Sequence, residues 1–254
     1  MKLLRDADRI NTYKIEAARF SYLMFRNSWQ LLQAEVSPIS RAEEVVEAKA
    51  VAITSAALAV VDHGMRFCNV VTQIKGMRKA EPGISAIYKI KKSLEDVRNH
   101  IQHVDQSAHK ADPEFYPILG AVSWASSDGS HSFTASLGTM PVGTTFHSLS
   151  YDQELKSYVG GITFSVGTFD LQIEQIATAL EAGEAQLSRW LTAKGHLSDE
   201  DLQATSLVMG PLIGPEQRFV RGKFLVNDDT TQAPSGDGSE NEIIATEKVH
   251  DKAR

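Results

Sequence analysis

Ala50-Val51-Ala52-Ile53-Thr54-Ser55-Ala56-Ala57-Leu58-Ala59-Val60-Val61 is the longest apolar stretch in a chain of 254 residues, and the fold class turns on how it is read. At about a dozen residues, with Thr54 and Ser55 in its middle, it falls short of the roughly 20 that a membrane-spanning helix needs. It sits inside a longer Ala- and Val-rich segment that runs to about residue 75, and that composition predicts a helix buried along much of its length. Ser40 with Glu43 fits a capping box at its start, where a serine oxygen and a glutamate side chain satisfy free amides. Upstream, Ser37-Pro38-Ile39-Ser40 separates it from a first helix over residues 8–33, in which Ile10, Tyr13, Ala17, Phe20, Met24 and Leu31 fall close to the helical period.

Downstream, Glu81-Pro82-Gly83 closes a linker, residues 84–108 read as a third helix, and Asp112-Pro113 stops it. The character then changes. Residues 118–166 are rich in Gly, Ser, Thr, Val and aromatics, with short runs at Ala121-Val122-Ser123-Trp124 and over 158–166. Ser127-Asp128-Gly129-Ser130 is a turn signal, because Asp and Gly tolerate the positive φ of tight hairpins. Two hairpins, about four short strands, are expected here. Helical periodicity returns over 169–193 and ends at Gly195, a C′ residue. Ser198 with Asp201 suggests a further short helix, and the polar, acidic segment 228–254 reads as disordered. The expected fold is mainly α. It is a helical bundle, a single domain over 1–227, with an antiparallel β-hairpin insertion at about 118–166 between the third and fourth long helices.

Composition narrows the function classes. With 42% hydrophobic residues and a net charge of −6, the chain is not wholly disordered, and a single cysteine excludes a disulfide scaffold. Cys68 reads as a small buried hydrophobe. The start, MKLLRDADRI, lacks the apolar core of a signal peptide, so a soluble, cytoplasmic protein with no membrane partner is expected. The charge is uneven. Lys and Arg number 17 against 12 Asp and Glu in residues 1–111, 6 against 13 in 112–227, and 3 against 7 in 228–254. Only the first segment can attract a polyanion.

That segment contains Leu94-Glu95-Asp96-Val97-Arg98-Asn99-His100-Ile101-Gln102-His103. On a helix, residues five apart advance about 7.5 Å and turn about 140° past a full rotation. Arg98 and His103 therefore flank one groove from neighbouring lines. A guanidinium holds a phosphate with paired donors, and an imidazole takes or returns a proton near neutral pH. Asn99 can orient either. Such a set suits RNA cleavage without a metal or cofactor, with the ribose 2′-OH as nucleophile. Lys89, Lys91, Lys92 and Lys110 supply attraction for an RNA backbone. The chain has its own control: Arg26-Asn27 also lies on a predicted helix, but position 31 is leucine.

Arg98-Asn99-x-x-x-His103, late in a long helix, resembles the signature of the HEPN superfamily. The likeness covers about ten residues well, and the helical order of 8–110 and 169–193 loosely. It implies a four-helix domain acting as a metal-independent endoribonuclease in defence, toxin–antitoxin or RNA-processing systems. It also implies a homodimer whose two motifs face one cleft. By that resemblance Arg98 and His103 are the catalytic pair, Asn99 is the polar residue beside the arginine, and RNA and an antitoxin or other protein are the partners. The hairpins and acidic tail lie outside what the family implies.

Other readings compete for these residues. Asp96, His100 and His103 fall on one helix face, as a metal site would require, but one helix rarely supplies a complete site. Gly138-x-x-x-x-Gly143 lacks the lysine of a phosphate-binding loop. Gly160-Gly161 reads as a bulge within a strand. Ser123, Ser126 and Ser127 near Asp128 and His131 have the residue types of a hydrolase triad, yet no nucleophile elbow is present and turn chemistry explains them better. The aromatics Trp124, Phe133, Phe146, Tyr151, Tyr158 and Phe164 read as a sheet packed on helices. Arg98 could also be a surface residue paired with Glu95 or Asp96. In that case the protein is a non-catalytic helical interaction or RNA-binding module.

Overall fold

The structure, a computed structural model, describes residues 9–39, 44–104, 106, 117, 119–126, 131–137, 149–152, 157–195 and 220–221. Four long helices are found among them: α1 (Arg9–Val36), α2 (Glu47–Val71), α3 (Pro82–Gln102) and α4 (Ile173–Ala193). The chain is mostly helical, as its periodicity predicts. Ile15, Ala18, Tyr22, Phe25, Trp29, Leu32 and Val36 recur every three or four residues along one side of α1, and all are buried. They pack mainly on α2, whose Ile53, Ala57, Val60, Val61, Phe67 and Cys68 are buried in turn. By length and composition α2 could cross a membrane, a property the shorter apolar count misses; half of its most apolar window is buried in the core. Burial also pushes the Cys68 thiol up to about 12.

Polar ties set the direction of each neighbour. Lys14 Nζ donates to the Gln73 carbonyl at 3.1 Å and the Lys75 amide donates to Asn11 Oδ1 at 2.9 Å, which places the end of α2 beside the start of α1. At the other end, Lys49 Nζ meets Glu35 Oε2 at 2.6 Å. The two helices are antiparallel. Pro82 opens α3 at its first turn, where the missing amide costs nothing. Gly83 follows and packs directly on α4: a Cβ placed there would lie 2.2 Å from the Ala182 carbonyl oxygen. Gln186 Nε2 donates to Glu81 Oε2 at 2.7 Å beside that crossing.

Among the described residues, six strands lie between α3 and α4 and a seventh follows α4, more than the four expected. β1 (Ala121–Ala125), β2 (Ser132–Ser136), β5 (Thr163–Val166) and β6 (Phe169–Gln172) form an antiparallel sheet in the order β2-β1-β5-β6. β3 (Leu149–Asp152), β4 (Ser157–Gly160) and β7 (Val220–Arg221) form a second, three-stranded sheet. Two expectations are corrected. Residues 158–166 are not one strand, because the chain leaves β4 at Gly160 and enters the other sheet at Thr163, so Gly160-Gly161 marks a change of sheet and not a bulge. Phe169–Gln172 is a strand held by β5, with Phe164 opposite Leu171, and α4 begins only at Ile173.

Trp124 and Phe133 face each other across β1 and β2 with ring centroids 5.7 Å apart, and with Phe164 they are buried in the core shared with the helices. The Ser126 hydroxyl accepts from the His131 amide at 2.9 Å, so these two residues close the hairpin, as the turn reading expects. The capping box at Ser40 and Glu43, the turn at 127–130, Lys110, Phe146, the short helix near Ser198 and the segment 228–254 lie outside the described residues. α2 itself starts at Glu47 with no side-chain cap, and α3 is regular to Gln102; Val104 and Gln106 are helical again beyond the His103 cap, and the rest of the expected span to 108 lies outside the described residues.

The junction between sheet and α4 contains a buried carboxyl. Glu174, in the first turn of α4, accepts the Ile162 amide at 2.8 Å. Burial pushes its ionisation up to about 7 from an ordinary 4.5. The folded state thus holds the proton longer than the unfolded chain does. This stabilisation is complete below pH 4.5 and is lost as the pH rises through 7, by at most about 3 kcal/mol. Glu174→Gln should remove that slope. Its urea midpoint should exceed that of the wild type at pH 8 and match it near pH 4.5, as denaturation monitored at both values would check.

Candidate functional site

α3 presents one line of residues to α2. Lys91 lies close enough to the Cys68 thiol for its charge to act there, and one heptad later Arg98 reaches Asp62. Arg98 rises along α3 as Asp62 descends along α2, so this pair too is antiparallel. Arg98 Nε donates to Asp62 Oδ1 at 3.0 Å, and Arg66 Nε donates to Asp62 Oδ2 at 2.8 Å. One carboxylate thus holds two guanidinium groups. Arg98 and Asp62 are each 30% exposed, whereas Arg66 is 58% exposed. Burial opposes ionisation of Asp62, yet the hydrogen bond from Arg98 and the charge and hydrogen bond of Arg66 outweigh it and hold the carboxyl below its usual range.

The expected pairing of Arg98 with Glu95 or Asp96 is not what forms. Asp96 takes the hydrogen bond of Lys92, its i−4 neighbour on the exposed side of α3. Among the described residues, the guanidinium of Arg98 is engaged through Nε alone, and its two terminal NH2 groups keep their donors.

Asn99 is exposed, and its carbonyl accepts the His103 amide at 3.1 Å. His103 is the C-cap of α3, with φ −112° and ψ 31°, so it has left helical geometry. The ideal-helix relation between Arg98 and His103 therefore fails in its last step. The imidazole is exposed at the helix end, one turn beyond Asn99. His100 goes the other way. Its ring packs edge-on to Phe169, centroids 6.1 Å apart, and against Gly167 in the β5–β6 turn. Asp96, His100 and His103 thus have three different surroundings, and among the described residues no three His, Cys, Asp or Glu are grouped to hold a metal ion.

Of the three lysines, Lys89 and Lys92 are exposed while Lys91 is half-buried toward α2. Asp62 and Arg66 were not singled out by sequence reasoning. Their spacing of four on a helix was the available signal for a mutual pair, but the link to Arg98 spans 36 residues and leaves no local trace. His63, next to Asp62, has a buried Nδ1 without a hydrogen-bond partner among the described residues, and burial lowers its pKa.

Asp62→Ala is expected to cost about 1 kcal/mol, since hydrogen bonds to charged groups are worth more than neutral ones but partial exposure screens these. The depressed carboxyl fixes the sign with pH. Its contribution is present above the ordinary value of 3.8 and disappears as the pH falls through the lower folded value. Wild type and variant should therefore converge in stability in strong acid, by urea titration at several pH values. No family model, no curated protein and no solved structure matches this chain.

Proposed function

We propose that this protein is a metal-independent endoribonuclease of HEPN type. The observation that carries the reading is the state of Arg98: Nε is tethered to Asp62, the side chain is 30% exposed, and no described residue takes up the terminal NH2 groups, which suits two oxygens of one phosphate. Such a clamp neutralises charge where it builds up during phosphoryl transfer. His103 then accepts the proton of the ribose 2′-OH, or returns one to the departing 5′-oxygen. The bond from phosphorus to O2′ forms, the bond to O5′ breaks, and the products are a 2′,3′-cyclic phosphate and a 5′-hydroxyl. Lys89 and Lys92 on the exposed side of α3 attract the RNA backbone. On this reading the four helices are a HEPN-like bundle, and the setting is cytoplasmic, with defence or toxin–antitoxin pairing as its context.

A second reading has one observation in its favour. Asp62 is already a counter-ion for Arg98, and an ion pair of that kind serves a non-catalytic interaction or RNA-binding module equally well. Cleavage of end-labelled single-stranded and structured RNA in EDTA, by wild type, Arg98→Ala and His103→Ala, separates the two. Cleavage by the wild type alone, leaving cyclic phosphate ends, supports the nuclease. RNA binding without cleavage supports the module, and equal cleavage by all three removes the motif from consideration.

A further inference from the structure

We infer that the end of the helices away from the four-stranded sheet docks on an anionic lipid surface, with the start of α1 lying among the headgroups. Contacts between distant segments assemble this end. The Lys75 amide donates to Asn11 and Lys14 Nζ to the Gln73 carbonyl, which sets the loop after α2 against the first turns of α1. Trp190, near the end of α4, lies over Gly76 of the same loop, where a Cβ would be 3.1 Å from its ring. Lys79 Nζ stands 4.7 Å from the centre of the Tyr88 ring, which adds the start of α3.

The segments that meet here carry exposed charge of one sign. Lys75, Arg78, Lys79, Arg189 and Lys194 are all exposed. Among the described residues 9–20, 72–90 and 184–195 the carboxylates are Glu16, Glu81 and Glu184, and none of them is exposed. Glu81 accepts from Gln186 and Glu184 from the Ser188 hydroxyl, so both are taken up within the fold. The net charge of −6 over the whole chain conceals this basic end.

Beside the cations, α1 exposes large apolar side chains. Ile10 is 67% exposed, Tyr13 72% and Phe20 61%, at steps of three and seven residues that keep them on one side of the helix. Ile10 adjoins Asn11 and Tyr13 adjoins Lys14, the two residues tied to the basic loop, so apolar and basic groups share a border. Charge selects an anionic occupant, and the apolar border selects one with a layer free of water beneath its charge. An anionic bilayer offers both, and helices that lie in its interface combine these same residue types. An RNA backbone matches the cations alone and leaves Ile10 and Phe20 in water. The expectation of no membrane partner rests on the lack of a signal or spanning segment, and docking at a surface needs neither. Arg98 and His103 lie at the other end of α3, so this inference does not depend on the nuclease reading.

The test is co-sedimentation of the full chain with vesicles of phosphatidylcholine, alone or with about one-third phosphatidylglycerol. The wild type should pellet with the anionic vesicles only, and less at about 0.5 M salt than at about 0.1 M. Lys75→Glu with Arg78→Glu and Lys79→Glu should weaken binding by about 100-fold, since each cation beside such a surface contributes roughly fivefold. Tyr13→Ser with Phe20→Ser should weaken it by about 10-fold and keep the helical circular dichroism signal, because both side chains are exposed. A wild type that stays in the supernatant overturns the proposal, as does equal binding to the neutral vesicles. A loss confined to one of the two variants also overturns it; confined to the charge variant, it marks a bare polyanion contact such as RNA. Should the charge variant lose its helical signal, Arg78→Gln with Lys79→Gln decides: binding that falls by less than about 10-fold overturns the proposal.

Discussion

On the proposed nuclease reading, His103→Ala is expected to lower the rate of RNA cleavage by about 10²–10⁴-fold, the usual worth of a positioned proton-transfer group. The side chain is exposed and its backbone alone caps α3, so the unfolding midpoint should stay within about 0.5 kcal/mol of the wild type. That separation of activity from stability makes the variant more informative than Arg98→Ala, which also strips Asp62 of a partner. Arg98→Lys is the better companion. It keeps the charge but replaces a planar fork with a single ammonium, which cannot satisfy Asp62 and grip two phosphate oxygens together. Its loss should fall near 10²-fold, comparable to removing one oriented donor from a developing oxyanion. Initial rates on end-labelled RNA, beside urea melts of the same preparations, would check both. A His103→Ala enzyme within a few-fold of wild type would remove the proposed proton carrier.

Gly83→Ala is expected to destabilise the protein by about 3 kcal/mol, at the upper end of what overpacking a core costs. The direction is the informative part. Alanine in place of glycine within a helix ordinarily stabilises it by about 1 kcal/mol. Here the added methyl would lie 2.2 Å from the Ala182 carbonyl oxygen and 2.8 Å from Gln186 Cβ, and the first of these is backbone that cannot swing aside. α3 and α4 must separate at their crossing, and the Glu81–Gln186 hydrogen bond beside it loosens with them. Gly183→Ala on the opposite helix is the milder control. Its methyl meets only side-chain atoms, Ile87 Cγ1 at 2.7 Å and Phe67 Cε1 at 3.2 Å, which are buried but can give more than a backbone carbonyl, so about 2 kcal/mol is expected. Equilibrium urea unfolding of the three proteins would rank them. Gly83→Ala more stable than the wild type would mean the helices do not cross so closely.

The helices were legible because each carries a long apolar period. On α1 the period picked out, Ile10 to Leu31, runs mostly along the exposed side, while the core side is Ile15 to Val36. On α2 the Ala- and Val-rich segment is indeed largely buried. Phe169–Gln172 was misread because four residues cannot distinguish a period of two from one of 3.6. What decides them is pairing with Thr163–Val166, a partner the local pattern does not reveal. The split at Gly160-Gly161 has the same origin, since two strands of different sheets adjoin in sequence. At the candidate site, Arg98, Asn99 and His103 could be picked out because their spacing is short and local. Asp62 could not, for its role exists only once α2 and α3 lie side by side.

The meeting of His100 with Gly167 has a mechanical consequence. Gly167 sits at φ +55°, and a Cβ there would come within 2.8 Å of His100 Cε1. The imidazole is wedged where only a glycine leaves room, two residues after Arg98 and three before His103. The four-stranded sheet therefore acts as a splint for the last turn of α3. Load applied to the β5–β6 turn is borne by the segment that carries the motif, and a bulkier residue at 167 would push first on His100 and, through it, on the turn that bears Arg98 and His103.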